Sequence, residues 1–511
     1  MCDTVLPIDT SLSLGTCVAR AFSSTFSSMR KSFAVLSAIA VAALSVACVS
    51  GSDDDAGDND QLLPVLDAGT SKPDAITADG QVVAAQDIVL KPGYSEPADR
   101  FGAVLAVSTD GSVLVVGAPA EAGAGKGVNG AESSRGAAGR GAAFVYRKNK
   151  AGAWAQEAYL KPSNVGINPF AFGTALAISG DGNVIVVGAP GEDSDSKGVA
   201  STPSGFLAGA GAAYAFSYEE GRWSQTAYIK SAAPVAKGAF GSAVSLNQDG
   251  SLLAVSTPTE ASAGRVYTYK RAAKVWTASS VIKVPSGTTG TSFGVALAMS
   301  ADGRTIAIGA DKGTPSGGNK DLANAGLVHV FGSDAKSVWT LQATVSAPSA
   351  RAAEGFGTVL AVSADGSLLA AGIPGEKGTA KGVGGSVGAR DANCATGAVQ
   401  TFARTGTAWA ADTYIKAARP ACADTSGDRF GASLSFGSAN DLLVGAPGVG
   451  DAAAAARGEV HSFARSANVW SLTEEWIAVA PKQGQGSGLS VASSGAVITG
   501  TRDGTVLVLA Q

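Results

Sequence analysis

FGAVLAVSTDGSVLVVGAP, Phe101 to Pro119, is an apolar run, an Asp-Gly turn, a second apolar run and a Gly-Ala-Pro stop. It recurs as FGTALAISGDGNVIVVGAP from Phe172, FGSAVSLNQDGSLLAVSTP from Phe240 and FGVALAMSADGRTIAIGA from Phe293. FGTVLAVSADGSLLAAGIP from Phe356 and FGASLSFGSANDLLVGAP from Phe430 follow, then a worn copy, SGLSVASSGAVITGT, from Ser487. Such a repeat along 511 residues points to one large repeat-built domain. The 67 glycines, sparse aromatics and short β-branched clusters suit an all-β protein with many turns.

Within the first unit, Ala103 to Val107 reads as strand A and Val113 to Val116 as strand B. Between them Asp110-Gly111 predicts a type I′ hairpin, because glycine tolerates positive φ. Pro119 stops pairing, and a Gly-rich loop leads to GAAFVY from Gly141 as strand C. Trp154 to Leu160 is strand D. Strand C recurs at Gly211, Gly264, Gly326, Gly397 and Gly458; strand D reopens with Trp223, Trp276, Trp339, Trp409 and Trp470. Four antiparallel strands repeated radially are propeller blades. The chain finishes on a strand C, GTVLVLAQ from Gly504, while QDIVLKP (Gln86 to Pro92) matches the strand D ending QEAYLKP (Gln156 to Pro162). The expected fold is therefore a seven-bladed β-propeller over residues 81–511, its last blade closed by the N-terminal strand.

Six Phe-Gly pairs, with Gly-Ala-Pro at Gly117, Gly188 and Gly445, resemble FG-GAP repeats over about residues 86 to 511. That family builds the integrin α-chain propeller and many bacterial surface proteins. Integrin-type repeats commonly carry a DxDxDG calcium loop between strands A and B, where this chain has only Ser-x-Asp-Gly. The resemblance thus implies the calcium-free bacterial envelope variety, with no metal and no cofactor.

The N-terminus reads as an address. Met29-Arg30-Lys31, the apolar run Phe33 to Leu44 and the small residues Ser45 to Ala47 form a signal peptide over 29–47. Residues 1–28 read as an upstream mis-start, which makes Cys2 and Cys17 artefacts. Leu44 to Cys48, LSVAC, resembles a bacterial lipobox with its Leu one place early, so Cys48 is the expected lipid attachment site. Acyl chains would hold the protein on the outer membrane, periplasmic or surface-exposed, with plain secretion as the alternative. Residues 48–80, acidic and poor in large apolar side chains, are expected to be a disordered tether.

A net charge of −4 with no Lys/Arg block gives nucleic acid no footprint. Only two histidines occur, and the five cysteines lack CxxC spacing, which weighs against metal and thiol chemistry. Asp110, Asp181, Asp249, Asp302 and Asp365 are explained by hairpin geometry, and His329 and His461 fall in a packing slot of strand C. The six blade tryptophans read as packing; Trp476 has no account. Lys91, Lys161, Lys230, Lys283 and Lys416, near the end of strand D, are expected to be exposed charges that keep outer edges apart. GEDSDSKG from Gly191 is the best calcium-loop fragment, but Lys197 takes the third ligand position.

Long B–C loops, about 120–140, 191–210, 311–325 and 375–396, share one face with the D–A loops. Cys394 and Cys422 fall there, and an exported protein can oxidise them, so a disulfide is expected. The leading reading is a monomeric, non-enzymatic scaffold that binds an envelope or extracellular protein or glycan on this face. A carbohydrate-active enzyme working at the channel and a structural envelope protein are the rivals.

Overall fold

Apolar runs of four to eight residues broken by Gly, Pro and Asp cannot extend into helices, so each pairs with its sequence neighbours. A computed structural model describes residues 75–76, 82–83, 87–93, 96–131, 139–164, 169–199, 202–288, 292–315, 322–348, 351–391, 393–420, 427–450, 457–477, 487–494 and 496–509. It contains seven four-stranded antiparallel sheets, the blades of a β-propeller.

Strands A to D of blade 1 are Val104–Val107, Val113–Ala118, Ala142–Lys148 and Trp154–Leu160. Blade 2 uses Ala175–Ile178, Val184–Ala189, Ala212–Glu219 and Arg222–Ile229. Blade 3 uses Val244–Leu246, Leu252–Thr257, Arg265–Ala272 and Val275–Lys283. Blade 4 uses Leu297–Met299, Thr305–Ala310, Leu327–Ser333 and Trp339–Val345. Blade 5 uses Leu360–Val362, Leu368–Ile373, Ala398–Thr405 and Ala408–Ile415. Blade 6 uses Ser433–Phe436, Asp441–Ala446, Glu459–Ser466 and Val469–Trp476. Blade 7 takes Ser490–Ser493, Val497–Gly500 and Val506–Leu509, with Ile88–Leu90 as its fourth strand. Ile88 pairs with Val508 and Leu90 with Val506. Ala75–Ile76, inside the expected 48–80 tether, pairs with Val82–Val83 just beyond it, so the tether's end is not structureless.

The A–B turns differ from the expected type I′ geometry. Gly111 has φ +67°, but Asp110 is absent from the residues at positive φ, and a type I′ turn needs two. The loop closes instead by a hydrogen bond from Gly111 N–H to Ser108 C=O at 2.9 Å. Ser108 Oγ donates to Asp110 Oδ1 at 2.6 Å and accepts from Val113 N–H at 3.0 Å. The serine and aspartate side chains therefore do what the second left-handed residue would have done.

The repeat's glycines meet where one blade packs on the next. Gly102 N–H donates to Gly117 C=O within blade 1 at 3.0 Å, and Gly173 does the same to Gly188 in blade 2. The carbonyl oxygen of Gly173 then lies against Cα of Gly117, where any Cβ would fall inside 3.0 Å. Gly188 meets Gly241 likewise, Gly309 meets Gly357, Gly372 meets Gly431, Gly445 meets Gly488, and Gly500 meets Gly102. Blade 3 is the exception: Ser256 replaces the glycine and its Oγ accepts from Ala243 N–H at 3.0 Å. The phenylalanines Phe101, Phe172, Phe240, Phe293, Phe356 and Phe430 are wholly buried. Phe101 stands edge-on to Phe144, ring centroids 5.4 Å apart, as Phe172 does to Tyr214.

At the channel end of the A–B turns, blades are also joined by backbone hydrogen bonds. Thr109 N–H donates to Gly180 C=O at 3.0 Å, Gly180 to Gln248 at 2.7 Å, Gln248 to Ala301 and Ala301 to Ala364 at 2.9 Å each.

Gly188→Ala should lower the melting temperature by an overpacking cost of about 1–3 kcal/mol, whereas Gly93→Ala, which meets nothing within 4 Å, should not. Equal melts for the two variants would reject the glycine junction. Deleting residues 86–92 should expose the edge of Val506–Leu509 and sharply lower the melting temperature; an unchanged melt rules out closure by this strand.

Candidate functional site

The seven A strands surround a central channel of about 550 Å³ lined by residues such as Val104, Leu176, Leu246, Met299, Val362 and Phe436. Among the described residues its lining holds backbone, aliphatic and hydroxyl groups, the Gln248 amide and the Phe436 ring, but no ionisable side chain.

Three buried ion pairs lie beneath the B–C loops. Where the sequence suggested surface lysines, three of the five are buried: Lys161 and Lys230 have no exposed surface and Lys416 has 1%, while Lys91 and Lys283 are exposed as expected. Each buried lysine ends strand D and reaches a buried glutamate two residues past the proline that follows strand B. Lys161 Nζ donates to Glu121 Oε2 at 2.6 Å, Lys230 to Glu192 Oε2 at 2.5 Å and Lys416 to Glu376 Oε2 at 2.5 Å. Burial pulls all three ammonium groups below their ordinary range, against the attraction of the paired carboxylates.

These three blades share a second feature. Lys126-Gly127-Val128, Lys197-Gly198-Val199 and Lys381-Gly382-Val383 are the same tripeptide in the B–C loops of blades 1, 2 and 5. Val128, Val199 and Val383 each bridge to the last residue of strand D, Leu160, Ile229 and Ile415. The backbone N–H groups of Lys161, Lys230 and Lys416 donate to the carbonyls of Gly127, Gly198 and Gly382 at 2.8 to 2.9 Å. The loops are thus laid down as an extra rung beside strand D and fastened beneath by an ion pair. They present Lys126, Lys197 and Lys381 to solvent from equivalent positions.

Sequence reasoning took these long loops as the candidate binding face but missed the pairing and ion pairs that fasten them. The available signal was the Glu, the Lys-Gly-Val and the strand-end Lys occurring together. Blade 6 replaces the Glu and Lys positions by Val449 and Ile477, and blade 4 by Gly313 and Ser346. Blade 3 keeps Glu260 but holds it with Tyr267 (2.6 Å), Ser231 (2.7 Å) and Arg265 (3.0 Å).

Blade 5 carries the densest group. Lys416 also donates to Gly378 C=O at 2.8 Å and Thr396 Oγ1 at 2.6 Å, and Arg390 pairs with Glu354. Cys394, 1% exposed, lies in this loop and is disulfide-bonded. Cys422 lies outside the described residues, as do Cys48 and residues 29–47.

The other sequence candidates are absorbed by the scaffold. Ser108 and Ser112 hold Asp110 below the usual carboxylate range, and Asp181, Asp249 and Asp365 also lie low because turn hydrogen bonds outweigh their burial. In GEDSDSKG, Asp193 Oδ1 accepts from Gly209 N–H at 3.1 Å and Asp195 N–H donates to Ser204 C=O at 3.0 Å, so the fragment shapes its own loop. Burial pushes His329 down to about 4, with Thr344 Oγ1 at 2.9 Å from Nδ1. His461 lies between Glu475, 3.3 Å from Nδ1, and Glu459, 3.5 Å from Nε2. Trp476 belongs to blade 6, at the strand position of Leu160, and packs on the core shared by Val460, Val491 and Leu507.

The blade tryptophans pack between blades, as expected, and three also donate across the junction. Trp223 Nε1 reaches Glu157 Oε2 at 2.8 Å, Trp409 reaches Gln342 Oε1 at 3.1 Å and Trp470 reaches Asp412 Oδ2 at 2.9 Å. The acceptor always stands three residues after the preceding blade's own tryptophan.

No family model matches this chain, and no curated protein matches it.

Glu121→Gln should destabilise the protein by about 3–5 kcal/mol, because Lys161 is left buried without its counter-charge. Glu121→Val combined with Lys161→Ile, the pair blade 6 carries, should recover most of that loss in denaturant unfolding. A double variant as unstable as the single one contradicts this account.

Burial works to raise the carboxyls of Glu157 and Asp412, but hydrogen bonds from arginine and tryptophan outweigh it and leave both low. Their contribution is full above the ordinary values of 4.5 and 3.8 and is lost as pH falls through the depressed folded values. Melting temperature should therefore drop below about pH 4, and less steeply in Asp412→Asn. Parallel curves for the two proteins would remove Asp412 from the acid transition.

Proposed function

We propose that the protein is a non-enzymatic binding scaffold of the cell envelope, an FG-GAP-type propeller that engages an envelope or extracellular protein or glycan through its B–C loop face. The observation that carries this reading is the threefold construction of the loops in blades 1, 2 and 5. A buried ion pair is a costly way to stabilise a fold. Three of them beneath three equivalent loops hold a surface in one shape, which lowers the ordering cost of binding. The FG-GAP assignment is supported by the roles of the motif's residues: the phenylalanine fills the blade and both glycines meet at the junction. A channel whose described lining carries no ionisable side chain favours this reading over the enzymatic one.

In the same reading, Cys48 carries the acyl chains, the tether links it to a monomeric propeller, and Cys422 is the partner of Cys394. Arg429 N–H donates to Ala395 C=O at 3.0 Å, which brings the segment following Cys422 beside Cys394. Mass spectrometry of unreduced protein should show this one linkage; two free thiols would reject it.

An array of glycans and envelope proteins probed with the protein tests the main reading. Selective binding should disappear when the B–C loops of blades 1, 2 and 5 are replaced by the short 258–264 connection of blade 3. Binding that survives the replacement places the ligand elsewhere, and turnover of an arrayed polymer identifies an enzyme.

A further inference from the structure

Blade 5 departs from its neighbours at two adjacent positions. Against the phenylalanine of the Phe-Gly pair, strand C sets a ring in blades 1, 2, 3, 4 and 6: Phe144, Tyr214, Tyr267, His329 and His461. Blade 5 has Gln400 there. In blade 1 that ring packs on Tyr159, the residue opposite it on strand D, with centroids 5.1 Å apart. Gln400 stands opposite Tyr414 in the same register. The second departure is in the B–C loop, where Lys126-Gly127-Val128-Asn129 of blade 1 becomes Lys381-Gly382-Val383-Gly384. Both loops pair with strand D, Asn129 N–H donating to Tyr159 C=O at 2.7 Å and Gly384 N–H to Tyr414 C=O at 2.9 Å. Asn129 Oδ1 also accepts from Tyr159 N–H at 2.9 Å, which Gly384 has no side chain to do for Tyr414.

Each change leaves a polar group unpaired beside one cavity. Gln400 is 2% exposed, and its Nε2 donates to the carbonyls of Thr401 at 2.8 Å and Thr413 at 3.2 Å. These two acceptors fix the orientation of the amide, and its buried Oε1 is left without a donor among the described residues. Tyr414 N–H, on the loop side of strand D with the carbonyl that Gly384 binds, likewise has no acceptor among them. Buried polar groups without a partner are rare in folded proteins. Gln400 and Tyr414 both line a cavity of about 450 Å³ that also takes in Pro348, Ser386, Val387 and Thr413. Asp412 reaches the cavity too, but Arg465 at 3.0 Å and Trp470 at 2.9 Å hold its carboxylate, so the lining presents no unpaired charge.

We propose that this cavity binds an acetamido sugar, an N-acetylhexosamine. The acetamido group carries the two partners that blade 5 lacks, an N–H for Gln400 Oε1 and a C=O for Tyr414 N–H. Its methyl meets Pro348 and Val387, and the ring hydroxyls exchange hydrogen bonds with Ser386 and Thr413. Ligand sites of about 300–1,000 Å³ take molecules of this size. A neutral ligand suits a lining without free charge, whereas an anionic or cationic one would be desolvated without a counter-charge. An extended peptide would satisfy the two amide partners but not the two hydroxyls. The cavity lies under the B–C loop of blade 5, so the proposal rests on the reading of that face as the binding surface and names a glycan as its ligand.

Calorimetry and saturation-transfer NMR on the full chain, with the methyl β-glycosides of N-acetylglucosamine, N-acetylgalactosamine and glucose, test the assignment. At least one acetamido sugar should bind with a Kd of about 1 mM or tighter, and the glucoside about 10-fold more weakly. Saturation should be strongest at the acetyl methyl. Gly384→Asn restores the blade 1 cap at a position where a Cβ meets nothing within 4 Å, and Asn129 itself adopts φ +55° against +77° for Gly384. It should weaken binding about 10-fold with an unchanged melting temperature. Gln400→Phe, the ring of blade 1, should do the same while keeping or raising the melting temperature. Absence of acetamido-sugar binding at roughly 10 mM overturns the proposal, and a loop-dependent ligand on the array then leaves the broader reading of the face standing. Equal binding of the glucoside overturns it as well, as does full binding by both variants. Tighter binding of N-acetylalanine methylamide than of either acetamido sugar would assign the cavity to a peptide instead.

Discussion

A backbone carbonyl resting on a bare Cα is the contact that the rest of this ring depends on. The oxygen of Gly173 sits where a side chain on Gly117 would be, and the arrangement recurs at most junctions, including that of Gly500 with Gly102. Two sheets can approach this closely only if neither carries a Cβ at the crossing, and a phenylalanine beside the crossing, replaced by Ser487 next to Gly488, then fills the space between them. The Phe-Gly and the Gly-Ala-Pro, sixteen residues apart in Phe101 to Pro119, are two halves of one packing device read from adjacent blades.

On this framework the loops follow a second rule. Burying Glu and Lys costs several kcal/mol per ion before their attraction and hydrogen bonds offset it. Blades 1, 2 and 5 keep both members, Glu121 with Lys161, Glu192 with Lys230 and Glu376 with Lys416, while blades 6 and 4 lose both, with Val449 and Ile477 and with Gly313 and Ser346. In blade 3 both residues are present but unpaired: Glu260 is taken over by Arg265, Tyr267 and Ser231, and Lys283 turns to solvent.

The blades were legible because short apolar runs and Asp-Gly turns are local signals, the runs recurring seven times and the Asp-Gly five. The turn type was not, because it is decided by Ser108 Oγ bonding Val113 N–H, a contact between a side chain and a backbone five residues on. The buried lysines were misjudged for a related reason. Lys161 looks like an edge charge until its partner 40 residues upstream is folded beneath the loop. Local pattern gives strands, while sites made of long-range pairs become readable only when blades are compared position by position.

Seven blades do not share the mechanical burden equally. The other outer strands pair along most of their length, whereas among the described residues Ile88–Leu90 meets Val506–Leu509 through three residue pairs. Any tension transmitted along the chain from upstream of Ile88 enters the ring through those pairs, so blade 7 acts as the hinge pin of a chain under load. Antiparallel strands pulled from one end unzip rung by rung, and the rung nearest the pull is Ile88 with Val508. The stiffness of the ring as a whole is then set by its shortest seam.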